Sequence, residues 1–552
     1  MSWAQGAVDA YRLSQPDLKG TARFMSMGGA FGALGGDLST LSQNPAGIGV
    51  YRSNEIGFTV DLDCQNASSN GTSIDQTKFL LNNIGGVATM RLPSRTMPNL
   101  NIGFTFNKAS SFNRRYGGGI RNLQTSMSNY IAGISNSNNL TVADVSTTTS
   151  YDPYNPTDGG IASPWLSVIG YDSYLVDPAG DPDHPNWQGQ FGSGTSGNGY
   201  FDVIEKGSID EYNIAIGGNI ANTVYWGMNF DIINIDYNID ATWGENLQGA
   251  YIFNDYTRQV VQHDNPWNIR NLYRANGTGF NYQLGVIVKP VQEFRIGFAF
   301  HTPTWYKLTE TYSAGVNYNY FDRNNGNFVN GTNYTNNGTP GYNYVNFKSP
   351  WKIIASLAGV IGNRFIISAD YEWAGYNKMS YSVSGNSYWY DDWYDDWDYG
   401  WGDYWPAPAK KEAPAAPATR AGYDDTNHDI TNVYRNTNTL RVGAEFRVTP
   451  NFSVRAGYSF VSSPVKVEAR DNKETIYTSG TLASYRFDDT TNYVTCGLGY
   501  RYRGFYIDLA YVYKHMNSVY HAYTPDPSNN LSPQADVKFN QSQIVMSMGF
   551  RF

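Results

Sequence analysis

Ile544-Val545-Met546-Ser547-Met548-Gly549-Phe550-Arg551-Phe552 is the stretch whose reading decides the fold. Ile544, Met546, Met548, Phe550 and Phe552 fall on one face of an extended strand. Gln543, Val545, Ser547, Gly549 and Arg551 fall on the other. This is a period of two with one wholly apolar face. The alternation recurs upstream. Phe452, Val454, Ala456, Tyr458 and Phe460 oppose Ser453, Arg455, Gly457 and Ser459, and Phe294, Ile296, Phe298 and Phe300 oppose Arg295, Gly297, Ala299 and His301. Leu440–Val448 and Leu100–Phe106 repeat it.

Alternation alone also suits a soluble sandwich. The connections separate the two. Joins near 92–99, 220–223, 289–293, 361–364, 448–451 and 500–504 are short and rich in Pro, Asn, Arg and Gly. The intervening joins run roughly over 107–208, 244–268, 315–346, 383–430, 464–484 and 516–537. Short turns on one rim and long loops on the other mark an outer-membrane barrel with its long loops outside the cell. The Phe-, Tyr- and Trp-rich apolar faces suit lipid contact and interfacial girdles, and the aromatic-terminated last strand suits a substrate of the bacterial barrel-assembly machinery.

Strands beginning near Ile56, Ala88, Ile102, Tyr212, Val224, Phe280, Phe294, Trp351, Phe365, Leu440, Phe452, Val494, Ile507 and Ile544 make fourteen. An even number lets an antiparallel sheet close on itself. Closure is required, because an unpaired backbone group in hydrocarbon costs several kcal/mol. The expectation is an all-β chain forming a closed antiparallel 14-stranded transmembrane β-barrel over 53–552. Residues 1–52 are expected as an N-terminal plug, with short helices in the long extracellular loop 107–208.

Composition excludes other classes. With 15% aromatic residues and 56 Gly in 552, the chain is too aromatic for disorder and too Gly-rich for a helical bundle. No 18-residue apolar run exists for a helical span, and a mean hydropathy of -0.47 is what alternating strands produce. A net charge of -9 leaves no basic excess for a nucleic acid. Cys64 and Cys496 make no disulfide framework, and the six histidines form no HExxH pair. No metal, cofactor or catalytic triad is expected, and no enzymatic activity. Ser2-Trp3-Ala4 has the small-x-small form of a cleaved secretory signal's end, which predicts an essentially mature start.

A barrel this wide is not filled by its own inward side chains. Gly20 to Asp37, followed by Asn44-Pro45-Ala46-Gly47, is small, apolar and Gly-dense, a composition suited to a compact plug. Gly103, Gly217, Gly227, Gly285, Gly297, Gly443, Gly457 and Gly497 all fall on the inward face, leaving room for that segment to pack closely. Neither GxGxxG nor GxxxxGK[ST] spacing is present, so the Gly-rich stretch is not a phosphate loop.

At these residues the sequence resembles the FadL family of outer-membrane transporters for long-chain fatty acids and other hydrophobic compounds. The Gly20–Asp37 stretch resembles its N-terminal hatch, and Asn44, Pro45, Ala46 and Gly47 its hatch turn. Phe300-His301-Thr302-Pro303 and Asp370-Tyr371-Glu372-Trp373 resemble the Bacteroidetes-type branch, often labelled haemin receptors or outer-membrane transport proteins. The resemblance implies a monomeric barrel in the Gram-negative outer membrane, among lipid and lipopolysaccharide. It also implies passage of hydrophobic small molecules without ATP or TonB, and lateral release through a wall opening beside a strand distortion. Gly85-Gly86, before the second strand, is the candidate distortion. No His or Tyr constellation supports haem.

Two stretches are candidates for ligand contact. Ile120, Leu123, Met127, Tyr130, Ile131 and Ile134 are spaced as one face of a helix of about four turns, and a second apolar cluster covers Trp165, Leu166, Val168, Ile169 and Tyr171. Such helices either form a groove for an acyl chain or pack together as a cap. Phe24, Met25, Met27, Phe31, Leu34 and Leu41 either line a deeper pocket or form plug-to-wall core. Arg295, Arg441, Arg455, Asp370, Glu372, Glu445 and Asp508 face the lumen, as salt bridges anchoring the plug or as a headgroup contact. A different reading is a barrel subunit or scaffold of a protein-export complex. It rests on the Trp/Tyr/Asp-rich segment 388–405 and the Pro/Ala-rich Pro406–Ala418 within loop 383–430, either a site for an outer-membrane protein partner, a glycan or Ca²⁺, or an acidic solvated loop.

Overall fold

A computed structural model describes residues 6–15, 17–147, 152–156, 162–254, 259–322, 327–362, 364–383, 424–470, 476, 478, 480–525 and 531–552. Ser2-Trp3-Ala4 and the segment 388–405 lie outside the described residues. Among the described residues nineteen strands are hydrogen-bonded into one sheet, and fourteen of them form a closed antiparallel barrel. They are β1 (Glu55–Ser69), β2 (Thr72–Arg91), β3 (Asn99–Ser111), β4 (Ser196–Ile220), β5 (Val224–Asn254), β6 (Gln259–Val291) and β7 (Phe294–His301). The wall continues through β8 (Lys352–Ile361), β9 (Phe365–Ala374), β10 (Thr437–Arg447), β11 (Phe452–Val461), β12 (Tyr485–Tyr502), β13 (Phe505–His521) and β14 (Gln534–Arg551). β1 pairs with β2 on one side and with β14 on the other, from Glu55↔Arg551 to Ser68↔Lys538, so the sheet has no terminal edge.

The alternation read from the sequence sorts the wall. Ile56, Phe58 and Leu62 are exposed on β1 while Thr59, Asp61 and Asp63 are buried inside, and on β14 Ile544 and Phe550 face out while Gln543 and Ser547 face in. Apolar side chains toward lipid and polar ones toward the lumen leave the bore hydrophilic.

The structure corrects three of the expected boundaries. The second strand starts at Thr72, not near Ala88, because Asn70 and Gly71 take left-handed conformations (φ 45° and 85°) and close a tight hairpin. The expected loop 244–268 is instead a continuation of β5 and β6, which run 31 and 33 residues. The expected loop 315–346 likewise holds the strands Trp305–Asp322, Asn327–Tyr334 and Gly341–Lys348. Above the lipid band the outward residues become polar, as at Asp236, Asn238 and Asp240, so the apolar stripe that marks a membrane strand is lost. Tyr237, Ile239, Ala241 and Trp243 still alternate inward beneath the outer cap.

The described residues before β1 lie in the bore. Short helices α1 (Ala7–Arg12) and α2 (Ala22–Ser26) are followed by 3₁₀ turns at Leu38–Ser42 and Pro45–Val50. Thr21 caps α2 by accepting from Phe24 N at 3.2 Å, and Asn44 caps the last turn by accepting from Ala46 N at 3.1 Å, with Pro45 in the first position. Asn44 Nδ2 donates to Gly32 O at 2.6 Å, tying the turn to the Gly-rich stretch. Each of the eight inward glycines abuts this plug. A Cβ on Gly103 would lie 2.7 Å from Leu41 Cδ2, and one on Gly217 would lie 2.6 Å from Ile48 Cγ2. The plug and wall are also joined by charge: Lys19 Nζ to Asp61 Oδ2 at 2.6 Å, Arg23 Nε to Glu445 Oε2 at 2.9 Å, and Lys514 Nζ to Asp17 Oδ1 at 3.2 Å.

Candidate functional site

A cavity of about 210 Å³ lies between the plug, along residues 13–24 and 42–43, and the inner wall from β3 round to β12. It is smaller than the roughly 300–1,000 Å³ of a drug-sized pocket, so its room is that of a headgroup and a short length of chain. Leu13, Leu18, Phe24, Ile209, Ile233, Ile354 and Val461 give it apolar walls, and Gln15, Asn107, Asn281, Gln283, Ser459 and Thr439 give it hydrogen-bonding ones. The inward alternation of the strands puts the polar residues there. Most of its charged groups are already held. Lys19 pairs with Asp61, Asp17 with Lys514, and Arg441 Nη2 with Glu372 Oε2 at 2.7 Å. His301 Nε2 lies 2.9 Å from Gln43 O on the plug. The chamber thus combines apolar and polar walls.

The wall beside this cavity is not continuous. β2 and β3 are paired from Arg91↔Asn99 up to Asn83↔Asn107, where the ladder stops. Above that level β2 pairs only with β1, from Val60↔Leu81 to Ser69↔Thr72, and β3 only with β4, from Lys108↔Asp210 to Ser111↔Ser208. The register of β2 slips at Asn82, and that of β3 slips between Lys108 and Ser110. Bulges on both flanking strands turn them apart. Thr77, Lys78 and Phe79 are consecutive and all exposed, as on a strand open on both faces. The seam is bounded below by the Asn83 to Asn107 side-chain hydrogen bond and above by Asn70 Nδ2 donating to Gly119 O at 2.8 Å. Gly85 and Gly86, the expected distortion, sit instead inside unbroken ladders opposite Gly57 and Ile56 on one side and Thr105 and Phe104 on the other. A side chain at Gly85 would strike Thr105 Cγ2 at 2.5 Å, so these glycines serve close strand packing.

The outer mouth is capped. The expected helix of about four turns from Ile120 is shorter, α3 (Met127–Ser137), because Ile120 ends the strand Arg114–Ile120 and Ser126 forms the N-cap. α4 (Trp165–Asp172) packs directly on α3: Ser135 Oγ meets Ser167 Oγ at 2.9 Å, and Gly170 lets Ile131 approach. Leu123, Met127 and Ile131 are buried in the outer hydrophobic core, and Ile120, Tyr130 and Ile134 are half-buried against it. Glu245 on the upper part of β5 receives Met127 N at 2.8 Å and Trp243 Nε1 at 2.9 Å. Burial drives its carboxyl up to about 7 despite those donors.

Of the hatch candidates only Phe24 lines the cavity. Met25, Met27, Phe31 and Leu34 pack with Ala358, Tyr493, Val512 and Val545 of the wall, and Leu41 packs with Leu38, Ile48, Val87 and Ala215. Asp370 holds the same hatch by accepting from Phe31 N and Gly32 N, both at 2.9 Å, and Gln43 Nε2 at 3.0 Å. Sequence reasoning missed Lys19, Asn107, Ala109, Glu211 and Lys352, which line the cavity. For Asn107, Glu211 and Lys352 the signal was a polar residue at an inward position of a membrane strand, whereas the plug residue Lys19 and the apolar Ala109 carry no such mark. Alternation gives the face but not the height at which residues from distant strands meet.

Residues 211–552 match the family model described as outer membrane protein transport protein (OMPP1/FadL/TodX). The chain belongs to this family and resides in the Gram-negative outer membrane. A Pseudomonas aeruginosa FadL homologue has the same fold, with a TM-score of 0.52 at 10% identity over 98% of this chain and 100% of that one. The P. putida toluene transporter TodX aligns at 11% identity over 97% and 99%, with a TM-score of 0.47. The Ralstonia pickettii toluene transporter TbuX aligns at 12% over 97% and 99%, with a TM-score of 0.44. Among curated proteins none matches the chain in sequence.

Proposed function

We propose that the chain passively takes up long-chain amphiphiles of the fatty-acid type from the outer surface, rests them in the lumenal cavity, and releases them sideways through the β2–β3 seam. The observation that carries this reading is shared lining: Asn107, Lys108 and Ala109 border both the cavity and the seam. The plug, in its described residues 6–15 and 17–52, blocks the straight path to the periplasm, which leaves the wall as the exit. The half-buried Ile120, Tyr130 and Ile134 form the outer landing surface, Phe24 guides the chain inside, and the remaining hatch residues keep the plug seated. One barrel holds a complete path, so a monomer suffices. Burying each methylene of the cargo contributes about 0.8 kcal/mol, enough to draw it from water without an energy source.

A diazirine-bearing palmitate supplied to cells tests the route. Photolabelling at Phe24 and Ala109 is the expected result. Labelling confined to lipid-facing residues such as Phe104 and Ile214 would remove the route.

A further inference from the structure

Among the charged groups that line the cavity, two are in no close ion pair among the described residues. Asp17, Lys19, Lys108, Glu372 and Arg441 are each in an ion pair. No ion pair among the described residues includes Glu211 of β4, Lys352 of β8, or Asp231 of β5 next to Glu211. Glu211 and Asp231 are buried, and one amide nitrogen serves both: Gln283 Nε2 donates to Glu211 Oε1 at 3.2 Å and also to Asp231 Oδ2. Asn213 Nδ2 donates to the other Asp231 oxygen. The Glu211 and Asp231 carboxyls also hydrogen-bond to each other, so the pair shares a proton and presents one negative charge, while the amides fill lone pairs without adding a positive one.

The two signs share one wall yet do not meet. Gln283 stands opposite His301, and His301 stands opposite Lys352. Lys352 is therefore two strand spacings, about 10 Å along the wall, from the amide that bridges the carboxylates. His301 between them is engaged with the plug carbonyl of Gln43. Glu211 is buried and Lys352 half-buried, and the two opposite charges act on each other only across empty space of headgroup size.

We propose that the cavity selects a zwitterionic headgroup on an alkyl chain, with its cationic centre against Glu211, which Asp231 backs from behind, and its anionic centre toward Lys352. This rests on the reading of the cavity as a resting place for an amphiphile and departs from that reading in the headgroup alone, ranking a zwitterion above the carboxylate of a fatty acid, which still passes more weakly held. A fatty acid would satisfy Lys352 while adding a negative charge beside the Glu211–Asp231 carboxyl pair. An alkylammonium would satisfy the carboxylates and crowd Lys352.

Three amphiphiles with one tail and different heads decide the matter: dodecylphosphocholine, laurate and dodecyltrimethylammonium. Each is titrated below its micelle concentration into the full chain in nanodiscs and followed by calorimetry. Dodecylphosphocholine is expected to bind roughly tenfold tighter than either singly charged analogue, the worth of one added charged hydrogen bond. Glu211→Gln with Asp231→Asn should erase its advantage over laurate, and Lys352→Met its advantage over dodecyltrimethylammonium. Binding of all three heads with equal affinity, or laurate binding tightest, overturns the headgroup assignment while leaving the transit reading intact. Binding of none overturns both. The wild-type ranking decides even where a variant fails to fold.

Discussion

Lys19 Nζ of the plug lies 2.6 Å from Asp61 Oδ2 of β1, with both side chains sealed from solvent. Removing one partner strands the other charge in the bore. Lys19→Met is expected to cost about 3–5 kcal/mol and to appear as faster amide exchange across residues 17–30. Lys19→Met with Asp61→Leu should recover most of the loss. Equal exchange in the single and double variants would show that the pair does not seat the plug.

Plug seating also depends on missing side chains. A Cβ on Gly217 would stand 2.6 Å from Ile48 Cγ2, whereas Gly133 of α3 has no heavy atom within 4 Å of such a position. Gly217→Val should destabilise by roughly 1–3 kcal/mol through overpacking. Gly133→Ala should stabilise by roughly 0.5–1 kcal/mol through helix preference. Denaturant midpoints of the two variants in one detergent check both signs.

Glu245 makes the cap sensitive to pH. Its folded carboxyl is raised from 4.5 to about 7 by burial. Its stabilisation is thus complete below the ordinary carboxyl range, declines as pH climbs from 4.5, and is gone above about 7. Exchange at the α3 amides should quicken over that interval. Glu245→Gln should flatten the response, and a pH profile unchanged by that substitution would assign the sensitivity to another group.

How much of this was legible in the sequence follows from what period two encodes. Ile544 to Phe552 gives a strand and its faces, and the alternation of short and long joins gives a barrel, so the fourteen wall strands and the plug were readable. The inward glycines were readable for the same reason, since Gly103 and Gly217 sit at lumenal positions of otherwise apolar-faced strands. The seam was not. It depends on where the β2–β3 ladder stops, and the register slips at Asn82 and beside Ala109 leave no compositional mark. Gly85-Gly86 drew attention because paired glycines often mark bulges, yet here they permit close pairing. The cavity charges were visible singly, but Glu211 and Lys352 are far apart in sequence, and only the strand order brings them to one chamber.

The central claim is that cargo leaves through the wall between β2 and β3. In a background with the exposed Cys64 and Cys496 replaced by Ser, Leu81→Cys and Lys108→Cys, one on each side of the seam, are joined by a short, reducible bis-maleimide. Uptake of a fluorescent long-chain fatty acid is then followed before and after reduction of the linker. The account predicts that uptake falls to background while the bridge is intact and returns on reduction. Undiminished uptake through a fully bridged barrel would contradict it.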